Sequence, residues 1–82
     1  ESIRNRATGY NVVMFQPGQS SRVYQSFNEL QPAIEYSKTI LQEPNRIRSA
    51  MIYAIDKHDH HALVGTVKRN DLIFKEVELS TY

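Results

Sequence analysis

The stretch SAMIYAIDKHDHHALVGTVKRNDLIFKEVEL, residues 49–79, decides the fold. Its apolar segments change character every second residue, the period that sends successive side chains to opposite faces of a β-strand. Two polar clusters break it, Asp56 to His61 and Asn70-Asp71, and both hold residue types that reverse a chain. Residues 47–56, 61–69 and 72–79 are therefore expected as three consecutive antiparallel strands, a C-terminal meander.

Upstream, YNVVMFQ (residues 10–16) is rich in β-branched and aromatic residues and reads as a buried strand. Pro17-Gly18 follows, a pair suited to the two central positions of a type II turn, where Pro presets φ and Gly accepts a positive φ. SRVYQ (residues 21–25) is the expected returning strand. The serines beside Gly18 lack the glycine spacing and lysine of a phosphate-cradling loop.

A helix is expected between this hairpin and the meander. Ser26-Phe27-Asn28-Glu29 has the S-x-x-E spacing of a capping box. Phe27, Leu30, Ala33, Ile34, Ile40 and Leu41 then recur on one face at helical spacing. Pro32 makes the first turn irregular or moves the regular start toward itself, and Glu43 before Pro44 ends the helix. The resulting fold class is α+β: a single helix on one face of an antiparallel sheet, in the order β-β-α-β-β-β. ESIRNRATG (residues 1–9) is expected as a flexible N-terminal arm, with residues 10–82 forming one domain.

Size and charge bound the function. A domain of 82 residues buries only ~60% of the surface that its unfolded chain exposes. Ten Lys and Arg oppose nine Asp and Glu, so no molecule-wide field draws the protein to nucleic acid or membrane. No apolar run approaches the length of a bilayer span. The absence of cysteine removes disulfides and thiolate chemistry and fits a reducing, cytoplasmic setting for a soluble protein. Glu1 and not Met stands first, which is compatible with a piece of a longer chain.

The meander also implies a surface. With Asp56 opposite His61 and Arg69 opposite Leu72, the pleat puts Met51, Tyr53, Ile55, Ala62, Val64, Ile73, Val77 and Leu79 on one face, almost wholly apolar and so the expected bed of the helix. Ile52, Leu63, Val67 and Phe74 then form the centre of the opposite face, bordered by Arg48, Arg69, Glu76 and Glu78. One helix cannot cover both faces, and an uncovered apolar patch is usually a binding surface. The expected function is thus a small non-enzymatic interaction domain, a subunit or regulator. It would bind a protein partner or a second copy of itself through Ile52, Leu63, Val67, Phe74, Arg48 and Arg69. The competing expectation is that the first hairpin or the N-terminal arm folds over this face and completes a monomer.

Three other chemistries bear on the polar residues. His58, His60 and His61 are the candidate metal ligands, but a tight turn splays them and no distant Cys or His closes a tetrahedral shell, so no metal or other cofactor is expected. No nucleophile–base pairing is evident, and Glu76 and Glu78 read as a charged rim, so no enzyme is expected. The alternative function is nucleic-acid binding on a basic, partly aromatic surface of Arg22, Tyr24, Arg46, Arg48, Lys68 and Arg69.

Overall fold

The computed structural model describes residues 7–20 and 22–77. In chain order the elements are β1 (Gly9–Phe15), β2 (Arg22–Phe27), α1 (Leu30–Gln42), β3 (Ser49–Ile55), β4 (His61–Lys68) and β5 (Asp71–Glu76). The five strands form one sheet in the order β2-β1-β3-β4-β5, antiparallel throughout, and α1 packs on one face of it. The α+β class and the element order agree with the expectation. Residues 1–6 of the expected arm, and residues 78–79 of the expected last strand, lie outside the described residues. Gly9, assigned to the arm by its polar surroundings, opens β1 and pairs with Ile55, and the Thr8 amide before it donates to the Ile55 carbonyl at 2.7 Å.

The Pro17-Gly18 turn is type II in its essentials. Gly18 has φ of 82°, and the Gln19 amide donates to the Gln16 carbonyl at 3.1 Å, closing the turn. The capping box does not form. Ser26 is drawn into β2 opposite Asn11, where its hydroxyl donates to the Asn11 side-chain oxygen at 2.7 Å, and Glu29 takes the cap position with no side-chain bond. Pro32 is the third helical residue. Its missing N–H is one that the first turn leaves unpaired anyway, so the helix runs through it.

Which face of the sheet the helix covers is the main departure. The core unites Val12 and Met14 of β1, Ala50 and Ile52 of β3 and Val67 of β4 with Ala33, Ile34 and Leu41 of α1. Tyr10, Leu72 and Phe74 flank this cluster, and Phe27 meets Tyr36 of the helix with ring centres 5.4 Å apart. Of the expected bed, Met51, Tyr53, Ile55 and Ile73 lie on the outer face, whereas Ala62 opposes Ala54 on the other side and Val64 is buried at a bulge. The helix covers the other side, where Val12, Met14, Ile52 and Val67 are the large buried side chains of the sheet. Ala33 and Ser37 of the helix and Ala50 of the sheet are fully buried, small residues that let the two layers approach closely, while Gly65 lies under the Phe74 ring. Ser37 enters this core at little cost because its hydroxyl donates to the Ala33 carbonyl at 2.8 Å.

A bulge modifies the register. Asp56 does not oppose His61; Ile55 does, and Tyr53 opposes Leu63, yet Ile52 opposes Gly65. Val64 is the extra residue, 3% exposed, and its insertion turns Leu63 to the side of Tyr53. Past the bulge, Ala50 opposes Val67 and Gly65 opposes Glu76, as the uninterrupted register requires. At the second turn Lys68, and not Arg69, pairs across to the start of β5, at Asp71.

Candidate functional site

The outer face is built from the odd-numbered residues of β1 and β3 and their cross-strand partners. β1 contributes Val13 and Phe15, β2 contributes Val23 opposite Val13, and β3 contributes Met51, Tyr53 and Ile55. Leu63 joins from β4 through the bulge, and Ile73 lies on β5. Phe15 is 40% exposed, Val23 50% and Ile73 66%, while Val13, Met51, Tyr53, Ile55 and Leu63 are half-buried by one another. Among the described residues there is one helix, and it lies on the opposite side, so no second layer covers these side chains.

A shallow hollow of about 250 Å³ opens on this face between Asn11, Val13, Val23, Tyr53 and His61. Its floor is apolar and its rim polar, the arrangement common at protein-binding surfaces. The charges sit at one corner, where Lys75 and Asp71 pair at 3.0 Å. The hydrogen bond from Lys75 is the main reason that the Asp71 carboxyl lies below its ordinary value of 3.8; desolvation, the next largest effect, opposes it, and the Lys75 charge, the Ile73 amide and the Lys68 charge add to the lowering.

The residues expected to bind a partner are dispersed. Ile52 and Val67 are fully buried, and Phe74 is half-buried against the same core. These three belong to the layer between sheet and helix, so they cannot form an exposed patch. Leu63 alone of that set reaches the outer face, by way of the bulge. Arg48 is exposed at the approach to β3. Arg69 reaches under the end of the helix: its Nε donates to the Ile47 carbonyl at 2.7 Å, and one Nη donates to the carbonyls of Leu41 at 2.6 Å and Glu43 at 3.0 Å. The other Nη bonds the Asn45 side-chain oxygen. Arg69 is thus a clamp on carbonyls that the helix C-terminus leaves unpaired.

The six residues expected to bind nucleic acid fall in three places. Arg22 lies over the ring of Tyr24 at 5.6 Å on the edge strand β2. Lys68 is on the outer face opposite Ser49. Arg46, Arg48 and Arg69 line a groove at the helix C-terminus. No single strip joins all six.

The histidine-rich turn is organised by a residue that composition alone did not single out. The Asp56 side chain is 1% exposed. One of its oxygens accepts from the amides of His58 at 2.8 Å and His60 at 3.0 Å, and the other lies 3.1 Å from His60 Nδ1. Asp59 takes φ of 66°, so the chain reverses tightly around that carboxylate. His61 faces Asp59 instead, at 3.8 Å. No group of three or more ligating side chains suited to a metal ion occurs among the described residues. The signal available in the sequence was an Asp placed just after a strand and before a polar turn, an Asx-turn position.

Among the described residues no helix is long and apolar enough to cross a membrane. Comparison with family models, with curated proteins and with solved structures finds no match.

Proposed function

We propose that the protein is a small non-enzymatic interaction domain that binds another protein, or a second copy of itself, through the outer face of its sheet. The observation that carries this reading is the apolar outer surface centred on Tyr53, Val13 and Met51, which no described element covers. An antiparallel sheet with one face in water normally alternates apolar-in and polar-out. Here β1 and β3 are apolar on both sides. Full burial of a large apolar side chain contributes about 1.5–3 kcal/mol, so a partner that covers this face recovers a driving force that the monomer leaves unused. Sheet-on-sheet packing at the usual spacing is the geometry that such a surface favours.

The test is light scattering coupled to size exclusion, with a photo-crosslinker placed at Phe15. A dimer that Tyr53→Lys or Ile73→Lys dissociates, while circular dichroism and the melting temperature stay near wild type, supports the proposal. So does a crosslinked protein partner that is lost in the same variants. A wild-type chain that stays monomeric at high concentration and crosslinks nothing sensitive to Tyr53→Lys overturns it.

A further inference from the structure

On the side away from this surface, a groove of about 320 Å³ lies beyond the end of the helix, lined by Pro17, Asn45, Arg46, Arg48 and Arg69. We infer that this groove is an anion site and that it takes a phosphate monoester. Three arginines line one concavity, and none forms an ion pair with a carboxylate among the described residues. Clustered arginines are ordinarily neutralised by Asp or Glu, since like charges brought together repel. The helix C-terminus contributes only about half a negative charge, which leaves the groove electropositive.

The walls are held in place by bonds that leave this charge available. Ile47 is 4% exposed and anchors the segment in the core, so its neighbours Arg46 and Arg48 project outward in the alternation of an extended chain. The Arg48 amide donates to the Phe15 carbonyl at 2.9 Å, and the Arg48 carbonyl accepts from the Arg69 amide at 2.9 Å. Asn45 is latched to the helix end by its amide group on the Ile40 carbonyl at 2.9 Å, and its oxygen accepts from the Ile47 amide at 3.0 Å. Arg69 spends four donor contacts on carbonyl and amide oxygens, none of them charged. A guanidinium carries five N–H groups, so Arg69 keeps its whole charge and one spare Nη2–H.

Phosphate fits this arrangement better than a carboxylate does. A monoester carries close to two negative charges and three terminal oxygens, enough to engage Arg46, Arg48 and the spare Arg69 donor at once. Forked guanidinium–phosphate bonds are short, charge-assisted and specific in geometry. Pro17 supplies an apolar wall against which the esterified portion can rest.

Amide and arginine side-chain NMR titrations of the full chain, in a phosphate-free buffer of fixed ionic strength, test the site. The probes are inorganic phosphate, phosphoserine and a nucleoside monophosphate, with acetate as the monoanion control. Saturable shifts at Arg46, Arg48 and Arg69 are expected with all three phosphates, and the one that binds tightest identifies the source of the group. Because both Arg46 and Arg48 are exposed, Arg46→Ala and Arg48→Ala are expected to fold normally and to weaken binding about tenfold each. Arg48→Lys recovers part of the loss, and Lys75→Ala, on the other face, changes nothing. Linear shifts that match those from acetate, or a phosphate affinity unchanged in Arg48→Ala, overturn the inference. Neither result bears on the outer face, whose test reads association.

Discussion

The two faces of the sheet carry similar numbers of apolar residues and live under opposite conditions. Beneath the helix lie Val12, Met14, Ala50, Ile52 and Val67, all shut off from water. On the outer face lie Met51, Tyr53 and Ile55 of the same strand, half-buried only by their neighbours, with Phe15, Val23 and Ile73 open at the margins. What separates the faces is therefore the cover that the helix gives to one of them, not hydrophobicity: large side chains stand on both. Those on the outer face offer their area to a flat partner. Stability is concentrated on the first face and capacity for binding on the second.

Adjacent residues on β3 give the strongest way to break this contrast. Ile52→Ala empties a fully buried site and is expected to cost about 2–5 kcal/mol, measured by urea denaturation. Met51→Thr, one residue away on the open face, keeps a strand-forming side chain and is expected to cost less than about 1 kcal/mol. Equal losses at the two sites would mean that the faces are energetically alike.

Gly65 sharpens the same comparison at β4. A Cβ there would run into the Phe74 ring and come within 2.6 Å of the Lys75 carbonyl. The ring can turn aside, but the carbonyl belongs to the ladder. Gly65→Ala is expected to destabilise by about 1–3 kcal/mol and to increase hydrogen exchange in β5. A melting temperature unchanged from wild type would show that Phe74 does not rest on this glycine.

The smallest effect belongs to the exposed pair on the outer face. Asp71 titrates below its ordinary value of 3.8 because Lys75 stabilises its charged form. A carboxyl whose folded-state value is depressed adds stability that is present above the unfolded value and lost as pH falls through the folded one. Between neutral pH and pH 5 the pair should therefore leave stability unchanged, with a slight loss confined to more acid conditions. Lys75→Ala is expected to raise the Asp71 midpoint in an NMR titration, and added salt to shrink the difference. A midpoint indifferent to Lys75 would assign the shift to the Ile73 amide and the Lys68 charge.

Much of this architecture was readable along the chain. Val12 and Met14, Ile52 and Ala54, and the polar breaks at Asp56 to His61 and Asn70-Asp71 are sufficient to place the strands. The Pro17-Gly18 pair is sufficient for its turn. The sites were less legible. Arg69 looks like a surface charge in sequence, yet the carbonyls that hold it belong to Leu41, Glu43 and Ile47, more than twenty positions away. Asp56 looks like one more polar residue of a turn, yet it is buried and binds that turn together. The capping box at Ser26 failed for a similar reason: the ladder with β1 claimed the serine first.

What the sequence determined by itself was local. Residue periodicity, turn chemistry and the proline after the helix end set the elements, their order and most of the pairing, because each depends on neighbours within a few positions. Period two divides a strand into two faces but says nothing about which face meets the helix. That choice, and the Val64 bulge that carries Leu63 across the sheet, came from the tertiary structure, because close packing between layers depends on the summed shape of side chains brought together from distant parts of the chain.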